Sequence, residues 1–334
     1  MTDDPGERLF GWQHAFDHRA TIWMVTGVVG ALAGAALLIQ VLAATGRLSA
    51  ATRTELWRRL GSWCVMAPLF LGPVLLGAAW TIGAVTLLSL LCYREFARAT
   101  GLFREREVSG LVVLGILAIT FACIDHWYDL FMALTPLSVV MIAAIAVAAD
   151  QPRGYIQRTA LGVFAFMFFG TCLGHLGYFA NDTGYRPVVL LILVTVELND
   201  VFAYTCGRLF GRRKLAPATS PNKTWAGAIG AMILTTLLML ALGALVFEGT
   251  EINRIEHLVA LGLIVSVGGQ LGDLMLSAIK RDLGLKDFAA TIPGHGGLLD
   301  RFDSLILVAP AVFHYIGYLK GIGLDDARRI LTGG

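Results

Sequence analysis

Along this 334-residue chain, apolar residues run for about twenty positions at a time, again and again, and that recurrence limits the fold more than any other feature. A run of that length spans the roughly 30 Å hydrocarbon core of a bilayer at about 1.5 Å per helical residue. Such runs occupy residues 21–44, 61–77, 78–97, 108–124, 130–149, 159–179, 187–207, 225–247, 258–280 and 302–319. Composition agrees: 56% of residues are hydrophobic, and 15% are charged where a soluble domain carries roughly 25%. Mean hydropathy is +0.70. The predicted fold is all-α, a polytopic integral membrane helical bundle of about nine or ten transmembrane helices. The least certain division falls between residues 61 and 97, where Pro68, Gly72 and Pro73 could kink one helix.

The chain divides into an N-terminal part, residues 1–60, with an interfacial segment, a first anchor and a basic loop; a membrane-embedded domain, 61–320; and a short tail, 321–334. The segment GERLFGWQHAFDHRA mixes aromatic and charged residues and suits a helix lying among the headgroups. The run after it is longer than a signal-peptide core and reads as a retained anchor. Five cysteines stand singly, with no CxxC pair, as packing residues. A net charge of +2 gives no reason to expect a nucleic-acid partner.

Basic residues gather in alternate connections: Arg47 to Arg59, Arg94 to Arg106, Arg153 and Arg158, Arg208 to Lys223, and Lys280 to Arg301. The connections between carry Asp125, Asp129, Asp182, Glu248, Glu251 and Glu256. By the positive-inside rule the basic loops face the cytoplasm. Ten spans put both termini on the other face, although Lys320, Arg328 and Arg329 run against that placement. The two richest loops share the compartment that contains nucleotides.

Those loops hold the chemistry. Glu197 and Asp200, three residues apart, project from one helical face at the end of an apolar run, where a carboxylate is costly unless paired or metal-bound. The next segment, CGRLFGRRKLAPATSPNKTWAG, offers Ser220, Asn222 and Thr224 as helix caps, so backbone N–H groups and Lys223 could meet an anion at a helix N-terminus. A solvated basic loop with an ordinary cap explains this segment about as well. Asp273 forms a polar stripe with Ser277, Lys280 and Arg281 on an apolar helix, and Gly268, Gly269 and Gly272 permit close helix approach. Lys286 and Asp287 then lead to Pro293, Gly294, His295, Gly296 and Gly297, a turn whose N–H groups can cradle phosphate oxygens. Asp300, Arg301 and Asp303 follow at once, with the two acids on one face.

Four aspartates, several lysines and arginines, and glycine turns suit the holding of phosphates through divalent cations, which take hard oxygen donors. His295 could donate to phosphate or move a proton, and a structural hydrogen bond explains it equally well.

From Ser277 to Asp303 the fixed positions Ser277, Lys280, Arg281, Lys286, Asp287, Pro293, His295, Gly296, Gly297, Asp300, Arg301 and Asp303 resemble the C-terminal signature of the phosphatidate cytidylyltransferases. A second block from Asp200 to Trp225 is similar to the same family. It departs at Asn222, where the family has lysine, at Ala226, where it has glutamate, and in the Glu197-Leu198-Asn199 run before Asp200.

The resemblance implies transfer of a cytidylyl group from CTP to phosphatidate, giving CDP-diacylglycerol and pyrophosphate, with Mg2+ in two metal sites. It implies an active site on the cytoplasmic face of a bacterial inner membrane. Asp200, Asp273, Asp300 and Asp303 would hold metal. Lys280, Arg281 and His295 join Asp273, Asp300 and Asp303 as catalytic residues, and Ser220, Lys223, Thr224, Ser277, Lys286, Gly296, Gly297 and Arg301 bind substrate. A homodimer is left open. The competing readings are a related CTP-dependent synthase acting on another lipid phosphate, such as an isoprenoid ether lipid, and a membrane transporter, which would place acids near the midplane and show an inverted repeat.

Overall fold

A computed structural model describes residues 5–148, 150–292, 296–320 and 329–333. Thirteen helices follow in order: α1 (Pro5–Phe10), α2 (Arg19–Ala44), α3 (Ala50–Leu76), α4 (Ala78–Thr100), α5 (Arg106–Ile124), α6 (Tyr128–Ile145), α7 (Tyr155–Ala165), α8 (Leu173–Ala180), α9 (Tyr185–Phe210), α10 (Trp225–Val246), α11 (Ile255–Asp282), α12 (Leu299–Phe302) and α13 (Leu305–Lys320). A two-stranded antiparallel sheet, β1 (Lys214–Ala216) and β2 (Ser220–Thr224), sits between α9 and α10.

Among the described residues, nine helical spans are long and apolar enough to cross a membrane, α7 and α8 forming one of them and α12 and α13 another. The tenth long helix, α4, carries Arg94, Glu95 and Arg98 in its last turns, and those charges hold its hydropathy down. The chain is a polytopic helical membrane protein.

Where one kinked helix was the alternative, the structure has two. Pro68 and Pro73 both lie within α3, and the break comes at Gly77, whose φ of +145° only glycine adopts without strain. A β carbon there would also stand 2.4 Å from the Leu9 carbonyl oxygen, so the turn between α3 and α4 packs directly on the N-terminal segment. The α3 helix begins well before its predicted apolar stretch, taking in Arg53, Arg58 and Arg59, because Ser49 caps it by accepting from the Thr52 amide at 3.1 Å.

Depth in the bundle follows glycine and aromatic placement. The span from Tyr155 to Ala180 is the most enclosed, with 67% of its apolar window buried, against 11% for α2. Gly115, Gly162 and Gly174 lie where added β carbons would strike Phe166, Val108 and Ile119, so α5 and the α7–α8 span approach through them. A π-helical stretch, Phe166–Cys172, joins α7 to α8. Phe131, Tyr178 and Phe313 pack edge-on or tilted at its far end.

The two ends of the bundle differ as the charge alternation predicts. One end gathers α1, the Gly77 turn, Asp125 and the α8–α9 connection: Arg8 Nε donates to Asn181 Oδ1 at 3.1 Å, and Arg186 Nη2 donates to the Gly11 carbonyl at 2.7 Å. The C-terminal tail joins it. Leu331 N, Thr332 N and Thr332 Oγ1 donate to the buried Asp125 carboxylate at 2.6, 3.0 and 2.7 Å, and Arg329 lies over the Trp127 ring. The other end gathers the basic loops, where Arg281 Nε reaches the Thr219 carbonyl at 3.2 Å and ties the two richest of them together.

Burial raises the Asp125 carboxyl, but hydrogen bonds from Thr332 and Leu331 and the charge of Arg329 outweigh it and leave the group below its ordinary value of 3.8. Because the docked carboxyl is the more acidic, the tail's hold is complete above the ordinary value and is lost as pH falls through the lowered one. Limited carboxypeptidase digestion of the tail is expected to stay slow down to about pH 4 in the native chain. It is expected to run several-fold faster at neutral pH in Asp125→Asn, whose single acceptor oxygen serves fewer of the three donors.

Candidate active site

At the basic end, five pieces of chain bring their polar groups together: the end of α9, strand β2, the last turns of α11, residues 288–292 with 296–298, and the α12 turn. The approach of α9 to α10 comes first. A β carbon on Gly227 would stand 2.5 Å from the Ala203 carbonyl, and one on Gly211 would be 2.6 Å from Thr224 Oγ1. The helices therefore cross at glycine, and the chain between them has room for a tight hairpin pairing Lys214 with Thr224 and Ala216 with Ser220. The sequence suggested an irregular loop here; the structure has the hairpin. Of the three proposed caps Thr224 acts, its Oγ1 accepting from Gly227 N at 3.1 Å.

Lys223, near the end of strand β2, sends its ammonium to Asp273 Oδ2 at 2.7 Å and to the Gln270 carbonyl at 3.2 Å. Ser277 Oγ donates to the other Asp273 oxygen at 3.1 Å. Asp273, Ser277 and Lys280 of the predicted stripe on α11 thus face inward, while Arg281 is exposed. Lys280, one turn further, is buried and donates to Asp300 Oδ1 at 2.7 Å while standing over the Phe288 ring.

The glycines of α11 set how near α12 can come. At Gly272 a β carbon would lie 2.5 Å from the Asp303 carbonyl, and at Gly269 it would press on Asn199 and Ser304. Asp303 consequently sits buried against α11, bonded to its neighbour's Ser304 N at 2.8 Å, and Ser304 Oγ bridges toward Asp200 Oδ2 at 3.5 Å. Asp200, Asp273 and Asp303 are near enough to repel one another, and the charges of Lys223 and Lys280 offset part of that repulsion. Arg301 is half-buried and acts on Glu197 and Asp200, and its Nε is buried without a hydrogen-bond partner.

Asp300 organises the approach. Its Oδ2 accepts from Phe288 N at 3.1 Å and Gly297 N at 3.0 Å, so one carboxylate gathers both ends of the glycine-bearing turn and Lys280 as well. A second carboxylate does the same from another helix, and the sequence reading missed it. Glu95, buried at the end of α4, accepts from Thr291 Oγ1 at 2.5 Å, Leu298 N at 3.1 Å and Leu299 N at 2.9 Å. Gly297 lies between these acids: a β carbon would stand 2.6 Å from Glu95 Oε2 and 2.9 Å from Asp300 Oδ2. Gly296 has φ of +83° and its carbonyl accepts from Ile292 N at 2.8 Å.

The remaining predicted residues are placed as follows. Arg281 and Lys286 are exposed, with Arg281 also donating to the Leu285 carbonyl at 2.8 Å. Ser220 is half-buried on β2, and Glu197 is half-buried one turn before Asp200. Pro293, Gly294 and His295 lie outside the described residues. Asn199 was also passed over: it is fully buried, and its Oδ1 accepts from Thr235 Oγ1 at 3.0 Å, joining α9 to α10.

Fold and site together define a polytopic membrane protein with a lysine–carboxylate cluster and a glycine turn at one end of its helices. The cytidylyltransferase family matches residues 57–319, and the chain belongs to it. An uncharacterized protein of Escherichia coli K12, YnbB, is 33% identical over 271 residues, covering 79% of this chain and 88% of its own. Proteins named phosphatidate cytidylyltransferase are 39% identical over 155 residues in Staphylococcus haemolyticus, 44% of this chain and 58% of that one, and 29% identical over 246 residues in Staphylococcus aureus strain COL, 72% and 92%.

Glu95→Gln leaves one acceptor oxygen for three donors, two of them backbone amides. Each lost bond to a charged acceptor costs about 1.5–3 kcal/mol. The variant is expected to lower kcat/KM about ten- to a hundredfold and to speed proteolysis within residues 288–292, with the helices' circular dichroism unchanged. Equal proteolysis of variant and native chain would remove Glu95 from the turn's support.

Proposed function

We propose that the protein transfers a cytidylyl group from CTP to phosphatidate, giving CDP-diacylglycerol and pyrophosphate. The observation that carries this reading is the cluster itself: Lys223–Asp273 and Lys280–Asp300 side by side at the membrane edge, inside the segment that the family matches. The relatives named as phosphatidate cytidylyltransferases support the choice of lipid.

In this reaction a phosphate oxygen of phosphatidate attacks the α-phosphorus of CTP. The new P–O bond forms as the bond from the α-phosphorus to the oxygen bridging to the β-phosphate breaks, and pyrophosphate leaves with that electron pair. The nucleophile is ionised at neutral pH, so the enzyme has little proton transfer to perform. Its problem is repulsion between two anions, and positioning with charge neutralisation supplies most of the catalysis.

Lys223, Lys280, Arg281, Lys286 and Arg301 are the cations for that task. Arg301 is prepared for it, since its buried Nε lacks a protein acceptor and a phosphate oxygen supplies one. Ser220, Ser277 and the backbone at Gly296 line the phosphate path in this reading, with Thr224 capping α10 and the Gly297 amide held by Asp300, and His295 remains part of the reading. Glu95 and Asp300 hold the turn in shape.

Mg2+ belongs to the same reading, with Asp200, Asp273, Asp300 and Asp303 as the carboxylates that would hold it. The donor set fits. It is all oxygen, and mutually repelling acids at Asp200, Asp273 and Asp303 gain from a cation between them. Among the described residues no three His, Cys, Asp or Glu side chains converge on one point, so substrate phosphates and water would have to complete the ion's shell. When bound, the ion neutralises phosphate charge. Asp300 already serves Lys280 and two amides, and Asp273 serves Lys223 and Ser277, so an ion held by either would share its carboxylate with a lysine.

The site faces the cytoplasm of a bacterial inner membrane in this reading, because basic connections collect at its end of the bundle. Pyrophosphate release by purified protein in mixed micelles of phosphatidate, with CTP and Mg2+, tests the proposal. Release is expected to require both CTP and lipid and to fall at least a hundredfold in Asp273→Asn. Release from CTP with an isoprenoid ether phosphate but not with phosphatidate would replace the lipid, and silence with every lipid phosphate would overturn the reading. Lys223→Ala is expected to raise the apparent KM for CTP or phosphatidate about tenfold, as loss of one charge-assisted phosphate contact does.

A further inference from the structure

The opposite end of the bundle holds a cavity of about 570 Å³ that the cytidylyl chemistry does not use. It opens where the N-terminal segment meets the start of α2 and the α8–α9 connection. Its volume falls within the range of small-molecule sites. Asp200 stands fifteen residues along α9 from Tyr185 in the cavity wall, which at about 1.5 Å per residue is roughly 22 Å away.

Two polar groups in this wall lack partners. Thr21 is fully buried and its Oγ1 has no hydrogen bond. Arg186, 5% exposed, gives one N–H to the Gly11 carbonyl while its buried Nε has no acceptor. An unsatisfied buried donor of this kind costs about 1–3 kcal/mol unless something outside the chain meets it. Both residues line the cavity, and a guanidinium edge and a hydroxyl are each donors to a phosphate oxygen.

The rest of the wall excludes a simple anion. Asp17 and Glu7 flank His14, at 2.7 and 3.8 Å from its ring nitrogens, and Asp182 lies on the α8–α9 connection beside them. Arg8 and His18 complete the charged and titratable lining, and both already bond within the protein, Arg8 to Asn181 and His18 to the Ala20 amide. Acids facing an arginine across one cavity match a ligand with a phosphate at one end and an ammonium at the other. On the N-terminal segment and the start of α2 that carry lining residues, Trp12, Phe16 and Trp23 are exposed, as aromatic residues are at the headgroup level of a bilayer.

We propose that this cavity binds a membrane phospholipid whose headgroup carries both a phosphodiester and a primary amine, in the leaflet opposite the candidate active site. The phosphodiester meets Arg186 and Thr21, and the amine meets Asp17, Glu7 and Asp182. The acyl chains run down the exposed face of α2.

Native mass spectrometry of the delipidated full chain tests this. It is titrated with phosphatidylethanolamine, with phosphatidylglycerol of the same acyl chains, and separately with inorganic phosphate and glycerophosphoethanolamine. One phosphatidylethanolamine per chain is expected, bound about tenfold more tightly than phosphatidylglycerol, as one charge-assisted contact to the amine implies. Thr21→Val, which keeps the side-chain volume, is expected to weaken both lipids. Asp17→Asn, at an exposed position where folding is not at risk, is expected to abolish the preference for the amine while pyrophosphate release is unchanged. Equal binding of the two lipids, or a preference that survives Asp17→Asn, would overturn the proposal. So would inorganic phosphate or glycerophosphoethanolamine binding as tightly as the lipid, which would make the cavity a site for a soluble phosphate.

Discussion

A lysine and an aspartate facing each other at 2.7 Å, both almost wholly buried, set the terms for the rest of the site. Taking two charges out of water costs several kcal/mol for each ion, and their attraction offsets this only when the remaining lone pairs are also met. The second Asp300 oxygen is met by the amides of Phe288 and Gly297. The pair therefore requires the turn to come back onto α12, and the turn requires Gly297, because nothing larger fits between Asp300 and Glu95. Fold and site depend on the same contact: without Lys280, Asp300 is a buried charge met only by the amides of Phe288 and Gly297.

The same economy of charge explains the helix approach at this end. Asp303 is held against α11 because Gly272 leaves its carbonyl room, and Gly269 makes space for Asn199 and Ser304 in the next layer. Small residues bring backbones close in a membrane where apolar side chains gain nothing from leaving lipid. Here they also fix the separation of the carboxylates. The polar residues on α9, α11 and α12 could not act on a common phosphate if those helices packed at the distance larger side chains impose.

Much of this could be read from the residues alone, for physical reasons that differ by feature. The spans were legible because bilayer thickness fixes their length, and α9, α10 and α11 fall close to the predicted stretches. Asp273, Ser277 and Lys280 were legible because one helical face carried all the polarity in an apolar run. Glu95 was not. It sits in YREFARAT, where arginines on both sides give the pattern of any basic membrane edge, and its partners, Thr291, Leu298 and Leu299, lie some two hundred positions away. A signal did exist: an acid among the basic residues of a helix end, like Asp200 at the end of its apolar run, needs donors. The hairpin escaped for another reason, since two strands of three and five residues are too short for alternation to show.

The hairpin also explains why departures from the family's pattern are tolerated where they fall. Side chains along a strand point alternately to opposite faces, so Asn222 and Thr224 point away from Lys223. Lys223 turns inward to Asp273, Thr224 caps α10 on the other side, and Asn222 is exposed. Asn222 stands where the family has a lysine, and Ala226, four positions on, where it has a glutamate, so one positive and one negative charge are missing together. Their absence leaves the local net charge unchanged and touches neither the Lys223–Asp273 pair nor the Lys280–Asp300 pair. Asn222 thus lies exposed on the face of β2 away from Lys223, while the Lys223–Asp273 and Lys280–Asp300 pairs keep both their residues and their partners.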